Sequence, residues 1–497
     1  MRKLKNTDDQ SSIILLSTII IVLVFVVISY IPPFTLGKVN IRRVNVFSDF
    51  IKFQDSTKTL TSKDIIDTSF MAELPKDIVR QISGSHGSST PEIEPSAQPA
   101  AVQHPIEADA TGETAEEQAS NCGQYTPANV TAGSIEDYSE GQQMTDRLAR
   151  LLSHNSQEHS IHISFLGDSF IEGDILTATL REKLQKTYGG NGIGYIPFND
   201  PRANNRPAIE QTASGWTCYS LLKKKSVPER NRNDFAVNGY ISIPIAGAKA
   251  IFKSRGGEGL GCSNASIIFK NRASGHMDVI INGQDSLHYD LETSDEIQKI
   301  SLAADIQSLE IKLTECDDFV GYGVEFESGT GVYVDNFALR SHSGLNLVGT
   351  DRELNRQFGD IVNQDIIVLE YGLNVMQKTV TDYSFFADKL KNVVNFVHLC
   401  FPESVIIVMS VGDVGWNNDG TVVTAPAVKP MVASQREASM QCGVMFWDTF
   451  QAMGGEGSMK ELVNKGWAAK DYTHIRFEGG RLLSDKMATG IFDITAK

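Results

Sequence analysis

The sequence predicts an α/β protein, a parallel, doubly wound sheet interrupted by an all-β insert. Three observations predict it. Apolar runs with strand character alternate with helical patterns early and late in the chain. Between them, residues 205–335 break into short alternating segments separated by turn signals such as Asn282-Gly283 and Ser328-Gly329. The first strand, Ile161-His162-Ile163-Ser164-Phe165-Leu166, runs into Gly167-Asp168-Ser169 before a helical pattern from Ile175 to Lys186. A serine at such a turn can be exposed at the edge of a parallel sheet, beside the positive end of a helix.

The 497 residues allow two to three domains, and 41% hydrophobic content supports real cores. A net charge of -16 without a basic run disfavours nucleic acid as a partner. Residues 10–37 carry no charged side chain. Within them, Ile13 to Ile31 is nearly all Ile, Val, Leu and Phe, about the length that spans a bilayer. A cleaved signal peptide has a shorter apolar core and a small-residue cleavage site. This run exits instead into Pro32-Pro33, so residues 12–31 read as a transmembrane anchor behind a cytoplasmic tail, 1–11. Arg2, Lys3 and Lys5 precede the span and Lys38, Arg42 and Arg43 follow it, nearly a tie. A short tail staying inside puts the catalytic domain outside the cytoplasm, on the periplasmic side of an inner membrane. Residues 32–135 read as a juxtamembrane segment and flexible linker, since 84–135 cannot bury enough apolar surface to fold alone. The six cysteines form no C-x-x-C pair, so structural zinc has no support from them. Disulfide pairing and free buried thiols both stay open.

The globular part divides into residues 136–204, the insert at 205–335, and 336–497. Tyr138 to Leu152 is helical, with Met144, Leu148, Leu151 and Leu152 on one face. Gly189-Gly190-Asn191-Gly192-Ile193-Gly194 follows a helix and lacks the Lys-Ser/Thr of a P-loop, so it is a cap and turn. The insert, with segments such as Tyr240 to Ile243, Met277 to Ile281 and Gly331 to Val334, is expected to be a β-sandwich. Beyond it, Asp365 to Glu370 and Ser404 to Ser410 are strands around a helix from Asp382 to Leu399.

Four stations carry the chemistry: Gly167-Asp168-Ser169; the run from Asp335-Asn336 through Arg340-Ser341-His342-Ser343-Gly344; Gly372-Leu373-Asn374; and Asp471-Tyr472-Thr473-His474. An Asp and a His three apart at a loop-helix junction can face one site. Their order, and their placement after strand ends, set them apart from chance pairs.

In these stations the chain resembles the SGNH, or GDSL-type, hydrolases, which carry Ser, Gly, Asn and His in four ordered blocks. The likeness covers roughly 158–200 and 336–490. The interruption by an all-β segment, together with Gly454-Gly455-Glu456-Gly457-Ser458-Met459, is similar to the peptidoglycan O-acetylesterase branch. The resemblance implies a flavodoxin-like three-layer fold and a serine esterase that releases O-acetyl groups from an acetylated polysaccharide, peptidoglycan above all. It implies Ser169 as nucleophile, His474 as base and Asp471 as its partner. It places the oxyanion among the Ser169 N–H, the Asn374 amide and a further N–H at Ser341 or Gly344. The family's second-block glycine aligns best with Ser341, and Val375 stands where Asp or Glu usually follows Asn374. Asp168, Gly372 and Trp416 are candidates for substrate contact, and Trp216, Tyr240 and Tyr322 of the insert for stacking on sugars. The chemistry needs no metal or organic cofactor. Two other functions fit the same residues: an O-acetyltransferase using the same serine, and a non-catalytic glycan-binding protein.

Overall fold

The computed structural model describes residues 34–36, 39–41, 133–202, 205–255, 261–284 and 286–496. The expected anchor at 12–31 and nearly all of the expected linker lie outside them. Among the described residues no helix is long and apolar enough to cross a membrane. Two compact units are distinguished, Met1–Thr59 and Leu60–Lys497. In the first, Phe34–Leu36 pairs antiparallel with Val39–Ile41.

In the second unit a six-stranded sheet has the order β12-β2-β13-β14-β17-β1. Its strands are β1 (Ile135–Asp137), β2 (Ser160–Gly167), β12 (Gly331–Ala338), β13 (Ile366–Glu370), β14 (Val405–Met409) and β17 (Met445–Trp447). All pairings are parallel except that of β1 with β17. Side chains alternate between two cores. Ile163, Phe165, Val368 and Ile407 face one, and Leu166, Leu369 and Val408 face the other. That two-sided burial is why these strands read as continuous apolar runs. Helices α1 (Gln143–Ser153), α2 (Thr177–Tyr188) and α8 (Phe477–Thr495) cover the first face through Leu148, Leu180, Leu184 and Met487. Helices α3 (Arg352–Ile361), α4 (Ser384–Cys400) and α5 (Val428–Cys442) cover the second through Phe358, Phe386, Leu390 and Met431.

The insert departs from expectation in three ways. Its eight strands, with Gly194–Pro197 before them, form one hydrogen-bonded antiparallel sheet, not two separate ones. The reason is β5 (Tyr240–Ser254), which meets β11 (Phe319–Glu327) at Ser242 and β10 (Ser308–Cys316) along Lys249–Lys253. The same strand thus joins both halves of the sheet. Left-handed glycines at 215 and 247, beside a register shift between Ser214 and Trp216, permit the bend there. Secondly, Gly331–Val334 belongs to the parallel sheet beside β2, whereas β3 (Gly194–Pro197) joins the antiparallel one. Thirdly, the two sheets share a core: Tyr195, Ile241, Val320 and Tyr322 pack with Phe337, Phe358 and Leu369. Trp216 stacks on Phe198 with centroids 4.8 Å apart, and the buried Tyr322 donates its hydroxyl to the Asp234 carbonyl. Both are core residues, unavailable to a sugar, and Tyr240 is half-buried against the shared core.

Helix α8 approaches the loop before α2 closely. A Cβ on Gly480 would lie 1.9 Å from the Ile175 carbonyl oxygen. Gly480→Ala should therefore lower stability by about 1–3 kcal/mol, read as a lower denaturant midpoint; an unchanged midpoint would show that this contact yields freely.

Candidate active site

The C-terminal ends of β2, β12, β13 and β14 open on one side of the parallel sheet, the usual place for a site in such sheets. A cleft of about 250 Å³ lies there. It is lined by Ser169 after β2, Arg340 and Ser341 after β12, Leu373, Asn374, Met376 and Lys378 after β13, Val414 after β14, and Thr473 and His474 before α8.

Ser169 Oγ lies 3.0 Å from His474 Nε2, across 305 residues of sequence. His474 Nδ1 is 2.7 Å from Asp471 Oδ2. The other Asp471 oxygen accepts the Thr473 and His474 N–H groups at 2.9 and 3.1 Å, which turns the chain so that His474 faces the serine. Partial burial pushes the Asp471 carboxyl up, but the His474 and Thr473 hydrogen bonds outweigh it and hold it below its ordinary range. Tyr472, between them, takes a left-handed φ of 56°. Its carbonyl accepts the Gly415 N–H at 2.8 Å, tying this loop to the hairpin Gly415–Asn418 and Thr421–Thr424. Trp416 lies on that hairpin, half-buried against the core, and does not line the cleft.

Ser169 is not at a helix N-terminus. A 3-10 turn at Glu172–Asp174 intervenes, and α2 starts only at Thr177. Buried polar contacts hold that connection in place. Asp174 pairs with Arg181 and Arg206, and Asn336 Nδ2 donates to the Ile171 carbonyl at 2.8 Å.

Ser341 lines the cleft with φ 66°, a left-handed backbone that glycine adopts most freely. Gly344 does not line it; a Cβ there would strike the Tyr371 ring at 2.6 Å. Gly372 also stands behind the wall, where a Cβ would meet Val411 at 2.9 Å. Asn374 is at the cleft, but its Nδ2 already has two acceptors: Asp168 Oδ2 at 2.7 Å and the His342 carbonyl at 3.1 Å. His342 itself is buried against Tyr371, and burial pushes its imidazole down to about 3.

Asp168 is fully buried beneath Ser169 rather than in the cleft. It accepts the Phe170 N–H at 2.8 Å, and its own N–H donates to Glu370 Oε2 at 3.1 Å. Burial pushes the Asp168 carboxyl up to about 7, against the pull of the Phe170 N–H, His474 and Asn374. Burial, then the charge of Asp168, pushes Glu370 well above its ordinary range. The pair therefore holds a proton more tightly than two free carboxyls would. Sequence reasoning missed Glu370, because nothing in an apolar strand end marks it as a partner. It also assigned no role to Arg340, Met376 or Lys378. Arg340 pairs with Glu172, and Lys378 Nζ donates to the Gly415 carbonyl at 2.8 Å.

Among solved structures, a peptidoglycan O-acetylesterase matches with a TM-score of 0.61 and 21% identity, over 73% of this chain and 99% of that one. The chain shares its fold with that esterase. A family two carbohydrate esterase from Clostridium thermocellum matches over 52% of this chain and 94% of its own, at 13% identity and a TM-score of 0.26, too low to carry an argument. No protein-family model matches the sequence, and no curated protein does.

The raised Asp168 carboxyl has a definite sign. The folded state holds its proton more tightly than the unfolded chain, whose Asp titrates near ~3.9. Its contribution to stability is therefore present at low pH and is lost as pH rises towards about 7. Asp168→Asn should gain stability relative to the parent as pH goes from ~5 to ~8. Parallel melting curves check this, and a pH-independent difference would refute the assignment.

Proposed function

We propose that this chain is a serine esterase that removes O-acetyl groups from a cell-envelope polysaccharide, with peptidoglycan as the substrate. The observation that carries the reading is the Ser169–His474–Asp471 chain, at 3.0 and 2.7 Å, opening into a cleft. Ser169 Oγ attacks the ester carbonyl while His474 Nε2 takes its proton. Asp471 keeps the other ring nitrogen protonated and stabilises the imidazolium. The tetrahedral oxyanion is held by the Ser169 N–H, the Ser341 N–H and the Asn374 amide, which turns from Asp168 or the His342 carbonyl. His474 returns the proton to the departing sugar hydroxyl, and water repeats the sequence on the acetyl-enzyme. Leu373, Met376 and Val414 offer apolar contact to a methyl group, and Arg340 and Lys378 bring polar groups to its rim. Peptidoglycan is favoured by the likeness to the O-acetylesterase branch in the interrupting all-β segment and in Gly454-Gly455-Glu456-Gly457-Ser458-Met459. The uncharged run at 10–37 supports a membrane-anchored enzyme with its catalytic domain on the periplasmic side.

The test is hydrolysis of p-nitrophenyl acetate together with acetate release from O-acetylated peptidoglycan. Ser169→Ala should lose at least about 10³-fold in kcat with the fold intact, and Asn374→Ala about 10²–10³-fold. Full activity in Ser169→Ala would overturn the reading. Acetylated glycan in place of free acetate, when an acceptor is supplied, would make the protein a transferase.

A further inference from the structure

A buried polar cluster joins the two sheets well away from the cleft. His162 is the third residue of β2, five residues before Gly167 and so about 16 Å along the strand from it. Asp335 is on β12, and Glu325 and Glu327 are two apart on β11, so both project from one face of it. His162 Nδ1 is 2.6 Å from Asp335 Oδ2, and His162 Nε2 is 2.9 Å from Glu327 Oε1. Glu325 Oε1 lies 3.7 Å from His162 Nδ1. The other Asp335 oxygen accepts the Tyr195 N–H at 2.8 Å.

Two features set this cluster apart from an ordinary ion-pair network. Three carboxylates surround one imidazole, and among the described residues His162 is the only ion-pair partner of Glu325 and Glu327. Arg206, which feels the charge of Asp335, is bonded to Asp174 and Asp200. In addition, Glu325 Oε1 is turned into the cluster without accepting any hydrogen bond, although Glu325 is only 5% exposed. A buried carboxylate oxygen left bare is costly unless a cation faces it.

We propose that His162, Glu325 and Glu327 bind a divalent transition-metal ion, Zn2+ by the chemistry of the set, with Asp335 orienting the imidazole. One donor atom from each of the three lies within 4.8 Å of the others. Zinc bonds of about 2.0–2.2 Å at tetrahedral angles set donors about 3.4 Å apart. The His162–Glu327 pair at 2.9 Å therefore has to open by only a fraction of an ångström. An Asp335 carboxylate on Nδ1 fixes the tautomer that leaves the Nε2 lone pair for the metal, the usual carboxylate–histidine–zinc arrangement. One imidazole and two carboxylates suit Zn2+ better than Ca2+, which takes oxygen ligands alone. The Glu327 side chain is 18% exposed, so water can reach and complete the shell. The ion would clamp β2 of the parallel sheet to β11 of the antiparallel one. Its role is structural and does not depend on the esterase reading.

The test uses the full chain, freed of metal by a chelator and then supplied with Zn2+, Mn2+ or Ca2+. One equivalent of zinc should stay bound after desalting, counted by native mass spectrometry, and should raise the Tm by several degrees. Ca2+ should do neither. Glu327→Gln, at the rim and able to fold, should weaken zinc retention at least tenfold, and Glu325→Gln should do the same. His276→Asn, which breaks the exposed group of His276, Asp290 and Glu315, should retain the ion. No zinc on the parent chain, or equal retention and Tm rise in both glutamine variants, would overturn the proposal, as would loss of binding in His276→Asn alone.

Discussion

The site depends on how closely strands β2 and β13 approach at their C-terminal ends. Gly167 sits in register between Ala338 on one side and Glu370 on the other. A Cβ there would lie 2.7 Å from Glu370 Oε2 and 2.8 Å from the Ile171 side chain. Only glycine lets the Glu370 carboxyl lie over the strand end, take the Asp168 N–H and share a proton with the Asp168 side chain. Asp168 in turn holds Phe170 and Asn374. The backbone that presents Ser169 is thus fixed from beneath by a carboxyl pair, not by the end of a helix. The same buried carboxyl lies close enough to His474 to be lowered by its charge, against the larger effect of burial.

The second constraint is that the two sheets are not independent bodies. Tyr195, at the start of the antiparallel sheet, packs edge-on against Phe337 and Phe358 of the α/β part, with centroids 5.1 and 5.7 Å apart. Arg340 and Ser341 follow directly from β12, whose partner β2 leads into Ser169. The insert therefore bears on the cleft through β12 and the shared core, and its aromatic residues are spent on packing. A module that could be cut out and replaced by a linker would not share its largest buried side chains with the α/β part.

Much of this was legible in the sequence, for physical reasons. Strands buried on both faces read as apolar runs, which placed β2, β13 and β14 to within one residue at most of their ends. Ser169, Asn374, Asp471 and His474 were singled out by their order, their place after strand ends and the resemblance to a known family, and the structure brings them together at one cleft. The rest was hidden by long-range pairing. Gly331–Val334 has the same alternating look as the strands before it, and only its partner β2 shows that it belongs to the parallel sheet. Trp216 looks the same in sequence whether it stacks on a sugar or on Phe198. Gly344 and Ser341 could be separated only by backbone geometry, since the residue that lines the cleft in the left-handed conformation is the serine. Glu370 became visible as a functional neighbour only through the 202 residues that separate it from Asp168.

The central claim is that Ser169, driven by His474, carries the acetyl group through a covalent intermediate. The most direct measurement is a rapid acid quench of the enzyme during turnover of p-nitrophenyl acetate, followed by peptide mapping. The account predicts one acetyl group per chain, located on Ser169 and absent from His474→Ala. An acetyl group on any other residue, or none at any quench time while hydrolysis proceeds, would contradict it.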